Sequence, residues 1–187
     1  MTDAHGTTPL GARLRAGETL ADRIMKVDHA GEHCAICIYT AQRWIARWRA
    51  PAMVAELGEF LTHERRHRAL FAAQLAARGR RRCRSYHLCA LGGFGLGIAT
   101  GLLGSRAIAA TTVAIERVVL AHLTQQLAEI GESDPAASST IRQIVAEEQE
   151  HHDRSAARLD RRGAFEQIID HVVAISTEAI IWLGMRL

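Results

Sequence analysis

The chain has 187 residues, 48% of them hydrophobic and 23% charged, so it can bury one core and is too apolar to be disordered. Three prolines and 5% aromatic residues speak against an all-β sandwich and for helices. A net charge of +3 is too small to imply nucleic acid, and four cysteines do not make a secreted disulfide framework at this length.

Residues 1–17 are polar and read as a flexible arm with no apolar signal segment, which makes a reducing compartment the default. Residues 18–79 read as a helical hairpin. Ile24, Val27, Asp28, Glu32, Ala35, Tyr39 and Gln42 trace a face of its first helix. Val54, Leu57, Leu61, Glu64, His67, Phe71 and Leu75 trace a face of the second. An uncharged segment, 85–105, follows. A second hairpin occupies 106–163, with Ile108, Thr112, Ile115, Glu116, Val119, Leu123 and Leu127 on a face of its first helix and Ile141, Ile144, Val145, Glu148, His151, Ser155 and Leu159 on a face of its second. Pro51 and Pro135 suit turns or first helical positions, and Gly79 and Gly163 suit the glycines that end helices. Residues 164–187 read as an additional C-terminal helix.

The hairpins repeat at an offset of 84 residues. Glu32 falls on Glu116, Gln42 on Gln126, Pro51 on Pro135, Glu64 on Glu148 and His67 on His151. Ala72, Ala73, Leu75, Arg78 and Gly79 fall on Ala156, Ala157, Leu159, Arg162 and Gly163. Two hairpins related by a pseudo-twofold axis predict an all-α, four-helix bundle.

Glu32, Glu64, Glu116 and Glu148 all lie on apolar helix faces. Buried carboxylates are costly unless they are paired or hold a metal. Two divalent cations would balance four such charges. Glu-x-x-His sets an oxygen and a nitrogen ligand on one face, because residues three apart are neighbours. Glu32, Glu64, His67, Glu116, Glu148 and His151 are therefore the expected metal ligands and catalytic residues. One Glu from each of two helices plus Glu-x-x-His from the other two is the ferritin-like two-metal pattern. Mixed carboxylate and imidazole donors suit iron or manganese better than structural zinc.

Neighbouring residues have weaker readings. Asp28 and His29 share a side with Glu32 and suit outer contacts to the ligands, although Asp28 also suits a helix entry. Tyr39 either borders the metals or packs, and His122 either faces the pocket or the surface. His63, Glu147, Glu150 and His152 are expected off the core face. Cys34-Ala-Ile-Cys37 has a redox spacing but lacks its βαβ context, and reads as packed thiols.

From Ser85 to Ser105 the chain carries no Asp, Glu, Lys or Arg, a 21-residue stretch with six glycines between Gly92 and Gly104. Its length matches a bilayer span of about 20 residues. A single crossing would separate Glu64 and His67 from Glu116 across about 30 Å of hydrocarbon, and no metal pair could form. The segment must lie in the membrane interface, return, or pack between the hairpins. Arg78, Arg80, Arg81, Arg82 and Arg84 precede it and suit anionic headgroups.

Several of these residues carry a resemblance. Asp28-His-Ala-Gly-Glu32, Ile38-Tyr39, Gln42, Gly93-Phe-Gly-Leu-Gly97, Leu102-Leu-Gly104, Thr112-Val-Ala-Ile-Glu116 and Glu147-Glu148-Gln-Glu-His-His-Asp153 together resemble the demethoxyubiquinone hydroxylases. The resemblance runs from about Asp22 to the C-terminus. It implies a ferritin-like monooxygenase with two iron ions, held by the six residues named above. The implied reaction hydroxylates the ring of a demethoxy polyprenyl benzoquinol, 5-demethoxyubiquinol, with O₂. It also implies a peripheral protein on the cytoplasmic face of a bacterial inner membrane, or the matrix side in mitochondria, docked on an anionic surface through residues 78–105. It leaves room for a lipid-presenting or other ubiquinone-biosynthesis partner and for a homo-oligomer, and none for nucleic acid. The family commonly has Arg at Cys37, Pro at Arg82 and Trp at Cys89, positions that bear on substrate access. The ligand pattern alone also fits a ferritin- or rubrerythrin-like iron oxidase or peroxide scavenger, which has no need of the uncharged segment. A non-catalytic, membrane-associated metal-binding bundle fits too.

Overall fold

Six helices follow one another in the computed structural model, which describes residues 9–159 and 163–187. They are α1 (Leu20–Arg49), α2 (Val54–Ala77), α3 (Tyr86–Leu103), α4 (Ser105–Ile130), α5 (Pro135–Ala157) and α6 (Ala164–Arg186). The architecture is all-α, a ferritin-like bundle in which α1, α2, α4 and α5 surround the centre. The helix starts are written in the sequence. Thr19 Oγ1 accepts from the Asp22 amide at 3.1 Å while Asp22 Oδ2 accepts from the Thr19 amide at 3.0 Å, a reciprocal cap. Asp134 caps α5 at 3.0 Å and Pro135 takes its first position. Pro51 opens a short 3₁₀ turn that leads into α2.

The two expected glycine stops part company. Gly79 has φ +61° and ends the first hairpin, with the Arg80 amide donating to Leu75 O at 2.8 Å. Gly163 has φ −80° and instead begins α6, its amide donating to Glu166 at 2.8 Å. Arg162, matched to Arg78 by the repeat, lies outside the described residues, as do residues 1–8 of the expected arm. Residues 9–17 are held down: Ala12 is fully buried and the Arg13 amide donates to Met185 O at 2.9 Å.

The third helix of each half is also repeated. α3 packs along α1 and α6 packs along α4. Shifting α3 by the same 84 residues lays it on α6, so each half is a three-helix unit. The linker segment and the additional C-terminal helix of the sequence reading are thus counterparts.

Packing explains Gly93 and Gly97 of α3. A Cβ on Gly93 would lie 2.6 Å from Cys34 O, and one on Gly97 would lie 2.4 Å from Ile38 O. These positions bring the α3 backbone against α1. Gln42 Nε2 then donates to Thr100 Oγ1 at 2.9 Å across the contact. The opposite side of α3 is bare, with Leu88, Leu91, Phe94, Leu102 and Leu103 exposed. α6 likewise exposes Phe165, Ile168, Val172, Ile175 and Trp182. Among the described residues α3, α4 and α6 are long and apolar enough to cross a membrane by length and composition. α4, however, is mostly buried within the bundle and carries Glu116.

The arginine cluster before α3 is divided. Arg78 grips Asp134 with two bonds of 2.6 and 2.8 Å, and Arg80 meets Asp22 at 2.9 Å. Both are turned back onto the bundle because carboxylates lie there, which removes them from the expected headgroup surface. Arg81, Arg82 and Arg84 are exposed.

Candidate metal centre

The six residues expected as ligands converge. Glu32, Glu64, His67 and Glu148 form one group whose ligating atoms lie within 4.8 Å of one another, and Glu64, Glu116, Glu148 and His151 form a second. Glu64 and Glu148 belong to both groups, so each can bridge two ions. The geometry adds this sharing. All six side chains are buried.

The donor atoms point inward onto one another. His67 Nδ1 lies 2.9 Å from Glu148 Oε1 and 3.7 Å from Glu32 Oε2. His151 Nδ1 lies 3.3 Å from Glu64 Oε1, 3.4 Å from Glu148 Oε2 and 3.9 Å from Glu116 Oε1. Yet Glu64 Oε1, His67 Nδ1, Glu148 Oε2 and His151 Nδ1 are buried without a well-formed hydrogen bond. Unpaired buried polar atoms cost about 1–3 kcal/mol each, more if charged. Four of them aimed at one small volume fit a metal pair.

Electrostatics agree. Burial, then the charge of Glu148, raises the carboxyls of Glu32, Glu64 and Glu116 well above the usual range. Burial also opposes ionisation of Glu148, but the imidazoles of His151 and His67 outweigh it and hold that carboxyl low. Burial alone would lower His151, whereas Glu148 and Glu64 push it up to about 11. Without metal, the cluster holds protons in place of cations.

The outer nitrogens of the two histidines are also engaged. His67 Nε2 contacts Glu147 Oε2 at 2.8 Å, and His151 Nε2 contacts His63 Nδ1 at 3.0 Å. His63 and Glu147 were expected off the core face. They sit at the seam between α2 and α5, close enough to fix the ligand rings. Glu147 is further tied to Arg66. Glu150 and His152 do face outward, Glu150 pairing with Arg154 at 3.1 Å and His152 with Asp153 at 2.8 Å.

Tyr39 borders the centre, its hydroxyl donating to Glu116 Oε1 at 2.6 Å. Asp28 is half-buried on the pocket wall and accepts from Gln126 Nε2 at 2.9 Å. Burial, opposed by that amide, pushes its carboxyl up to about 7. His29 turns away from the ligands and stacks on Tyr86, with ring centroids 5.1 Å apart. His122 lines the pocket and contacts Glu178 at 2.8 Å near the surface. Burial pushes the Cys34 thiol up to about 12, which makes it a packed thiol and a poor nucleophile. Arg82 covers Tyr86, Cys89 packs with Tyr86 and Cys83, and Cys37 lies within the field of Arg68.

A cavity of about 330 Å³ leads to the cluster. Glu32, Glu64, Glu116 and Glu148 form its floor. Gly92, Gly93 and Leu96 of α3 and Ser176, Thr177, Ile180 and Ile181 of α6 form its sides. Asp28, Gln126 and His122 are polar points on a largely apolar wall.

Fold and centre together define a ferritin-like bundle whose buried carboxylate–histidine cluster is reached by an apolar pocket. The family model described as "Ubiquinone biosynthesis protein COQ7" matches residues 19–184, and the chain belongs to that family. It is 33% identical to the 3-demethoxyubiquinol 3-hydroxylase of Rhodospirillum rubrum over 167 residues, covering 89% of this chain and 78% of that protein. It is 29% identical over 177 residues to the "NADPH-dependent 3-demethoxyubiquinone 3-hydroxylase, mitochondrial" of Dictyostelium discoideum, covering 89% and 77%. The protein of the same name from Mus musculus is 29% identical over 169 residues, covering 88% and 77%.

Proposed function

We propose that this chain hydroxylates the ring of a demethoxy polyprenyl benzoquinol, 3-demethoxyubiquinol in the numbering its relatives' names use, in ubiquinone biosynthesis. Two iron ions would be held by Glu32, Glu64 and His67 and by Glu116, Glu148 and His151, Glu64 and Glu148 being common to both groups of converging side chains. The observation that carries the reading is the apolar pocket that runs from between α3 and α6 to those carboxylates. A ferritin- or rubrerythrin-like oxidase acts on small solutes and has no use for such a passage.

Bound iron would supply the O₂ chemistry, drawing its electrons from a separate reductant. The protein's own contribution is placement. Glu147 and His63 orient the two imidazoles, and the Tyr39 hydroxyl holds one oxygen of Glu116. Burial of the floor excludes bulk water. The apolar walls receive the ring and the first prenyl units, and Asp28 and Gln126 offer polar contacts to ring oxygens.

A polyprenyl quinol stays in the lipid, so the mouth must meet the membrane. The bare faces of α3 and α6 flank it, with Trp182 at one end. Both helices lie flat along the bundle, which supports peripheral docking on the cytoplasmic face of a bacterial inner membrane. Arg81 and Arg84 add positive charge beside α3.

Quinone profiling tests the substrate. A strain lacking this gene should accumulate the demethoxy quinone, wild type should clear it, and Glu148→Ala should not. Unchanged quinones in the deletion strain would end the proposal. Consumption of O₂ by the iron-loaded protein, with a reductant and a short-chain quinone analogue, separates the enzyme from a non-catalytic bundle.

A further inference from the structure

Tyr86 opens α3 inside a ring of nitrogen bases. His33 stacks on it with centroids 4.2 Å apart, and the Arg82 guanidinium lies 4.9 Å above it. Arg68 Nη1 reaches the Tyr86 hydroxyl at 3.5 Å and His33 Nδ1 at 3.4 Å. Arg82 Nη2 reaches His87 Nε2 at 2.9 Å. Among the described residues neither Arg68 nor Arg82 pairs with a carboxylate. Other arginines nearby do: Arg78 with Asp134 and Arg80 with Asp22.

Two guanidiniums gathered without an acid repel each other, and an anion between them relieves the repulsion. The positive field already reaches His29: burial first, then Arg68, pushes that imidazole down to about 4. Guanidinium forks match phosphate oxygens, and the imidazoles and the Tyr86 hydroxyl add further hydrogen-bonding capacity. Next along α3 come Leu88 and Leu91, 59% and 72% exposed. A phosphate with apolar chains attached satisfies both features, and a free phosphate satisfies only the first.

We infer that Arg68, Arg82, His33, His87 and Tyr86 form a binding site for the phosphate of an anionic phospholipid headgroup. The site rests on the membrane-surface reading above and sharpens it. A headgroup held at the start of α3 sets the roll of the bundle on the bilayer, so that the pocket mouth faces the acyl chains.

Flotation of the full chain with phosphatidylcholine vesicles, with and without phosphatidylglycerol, tests this. Wild type should require phosphatidylglycerol. Arg68→Gln with Arg82→Gln should weaken partitioning by roughly tenfold or more. Arg81→Gln with Arg84→Gln removes equal charge outside the site and should weaken it by only a few-fold. Arg68→Lys with Arg82→Lys keeps the charge, loses the fork and should fall between, which guards against a folding artefact. Equal loss in the two glutamine pairs overturns the site and leaves a diffuse charged surface. No binding by wild type overturns the membrane reading itself. Inorganic phosphate should compete with the vesicles. If it broadens the phosphorus resonance on binding yet leaves flotation untouched, the ligand is a free phosphate and the lipid assignment falls.

Discussion

His63 and Glu147 occupy the same place in the two repeats, 84 residues apart, and each contacts the outer nitrogen of the other half's ligand histidine. The contacts are equivalent in position and opposite in chemistry. Glu147 places a carboxylate on His67, whereas His63 places an imidazole on His151. A carboxylate partner strengthens an imidazole as a donor. Ferrous ion titrated into metal-free protein should therefore bind in two unequal steps. Glu147→Ala should weaken the first by roughly 10- to 100-fold, and His63→Glu should bring the two steps together. Two identical steps in the wild type would remove the asymmetry.

Sharing of ligands predicts a second pattern. Glu148 belongs to both ligand groups and Glu32 to one. Metal analysis after iron loading should find that Glu148→Ala loses both ions and Glu32→Ala keeps one. Equal losses would argue against the bridging role.

The α3 contact makes opposite forecasts for two glycines. Gly97→Ala puts a methyl 2.4 Å from Ile38 O, and should cost about 1–3 kcal/mol as α3 is pushed from α1. Gly95 has nothing within 4 Å, so Gly95→Ala should stabilise by about 0.5–1 kcal/mol. Thermal melts of both variants decide the matter, and matching shifts would deny the close approach.

Asp28 links stability to pH. Its carboxyl is raised from 3.8 to about 7 by burial, against the Gln126 amide. The fold therefore favours the protonated form. That stability is complete below about pH 4 and is lost as the pH rises through 7. In metal-free protein, Asp28→Asn should gain up to about 4 kcal/mol over wild type near pH 8 and almost nothing near pH 4. A gain independent of pH in urea melts would show that Asp28 does not titrate in this range.

The buried Glu/His cluster was legible because buried carboxylates are rare and helix spacing puts Glu64 and His67 on one face. Comparison of identical residues then doubled the motif. That method also set the limit. His63 and Glu147 differ in type, so their equivalence left no trace in the identities, and residues beside a ligand look solvent-facing on an isolated helix. Contact across the α2–α5 seam depends on packing. The kinship of α3 and α6 was hidden for the same reason, because Gly93 corresponds to Thr177 and Leu96 to Ile180. Gly163 carried the composition of a helix stop, but the acceptor at Glu166 made it a start.

The pocket walls have one more consequence. Gly92, Gly93 and Leu96 line the pocket from α3 and Ser176, Thr177 and Ile180 line it from α6, each pair 84 residues apart. The opening therefore lies on the axis that relates the halves. A feature on such an axis is counted once however often the halves are copied. Duplication set two Glu-x-x-His halves around this one opening, and in the proposed reaction a ring entering there would meet both abreast.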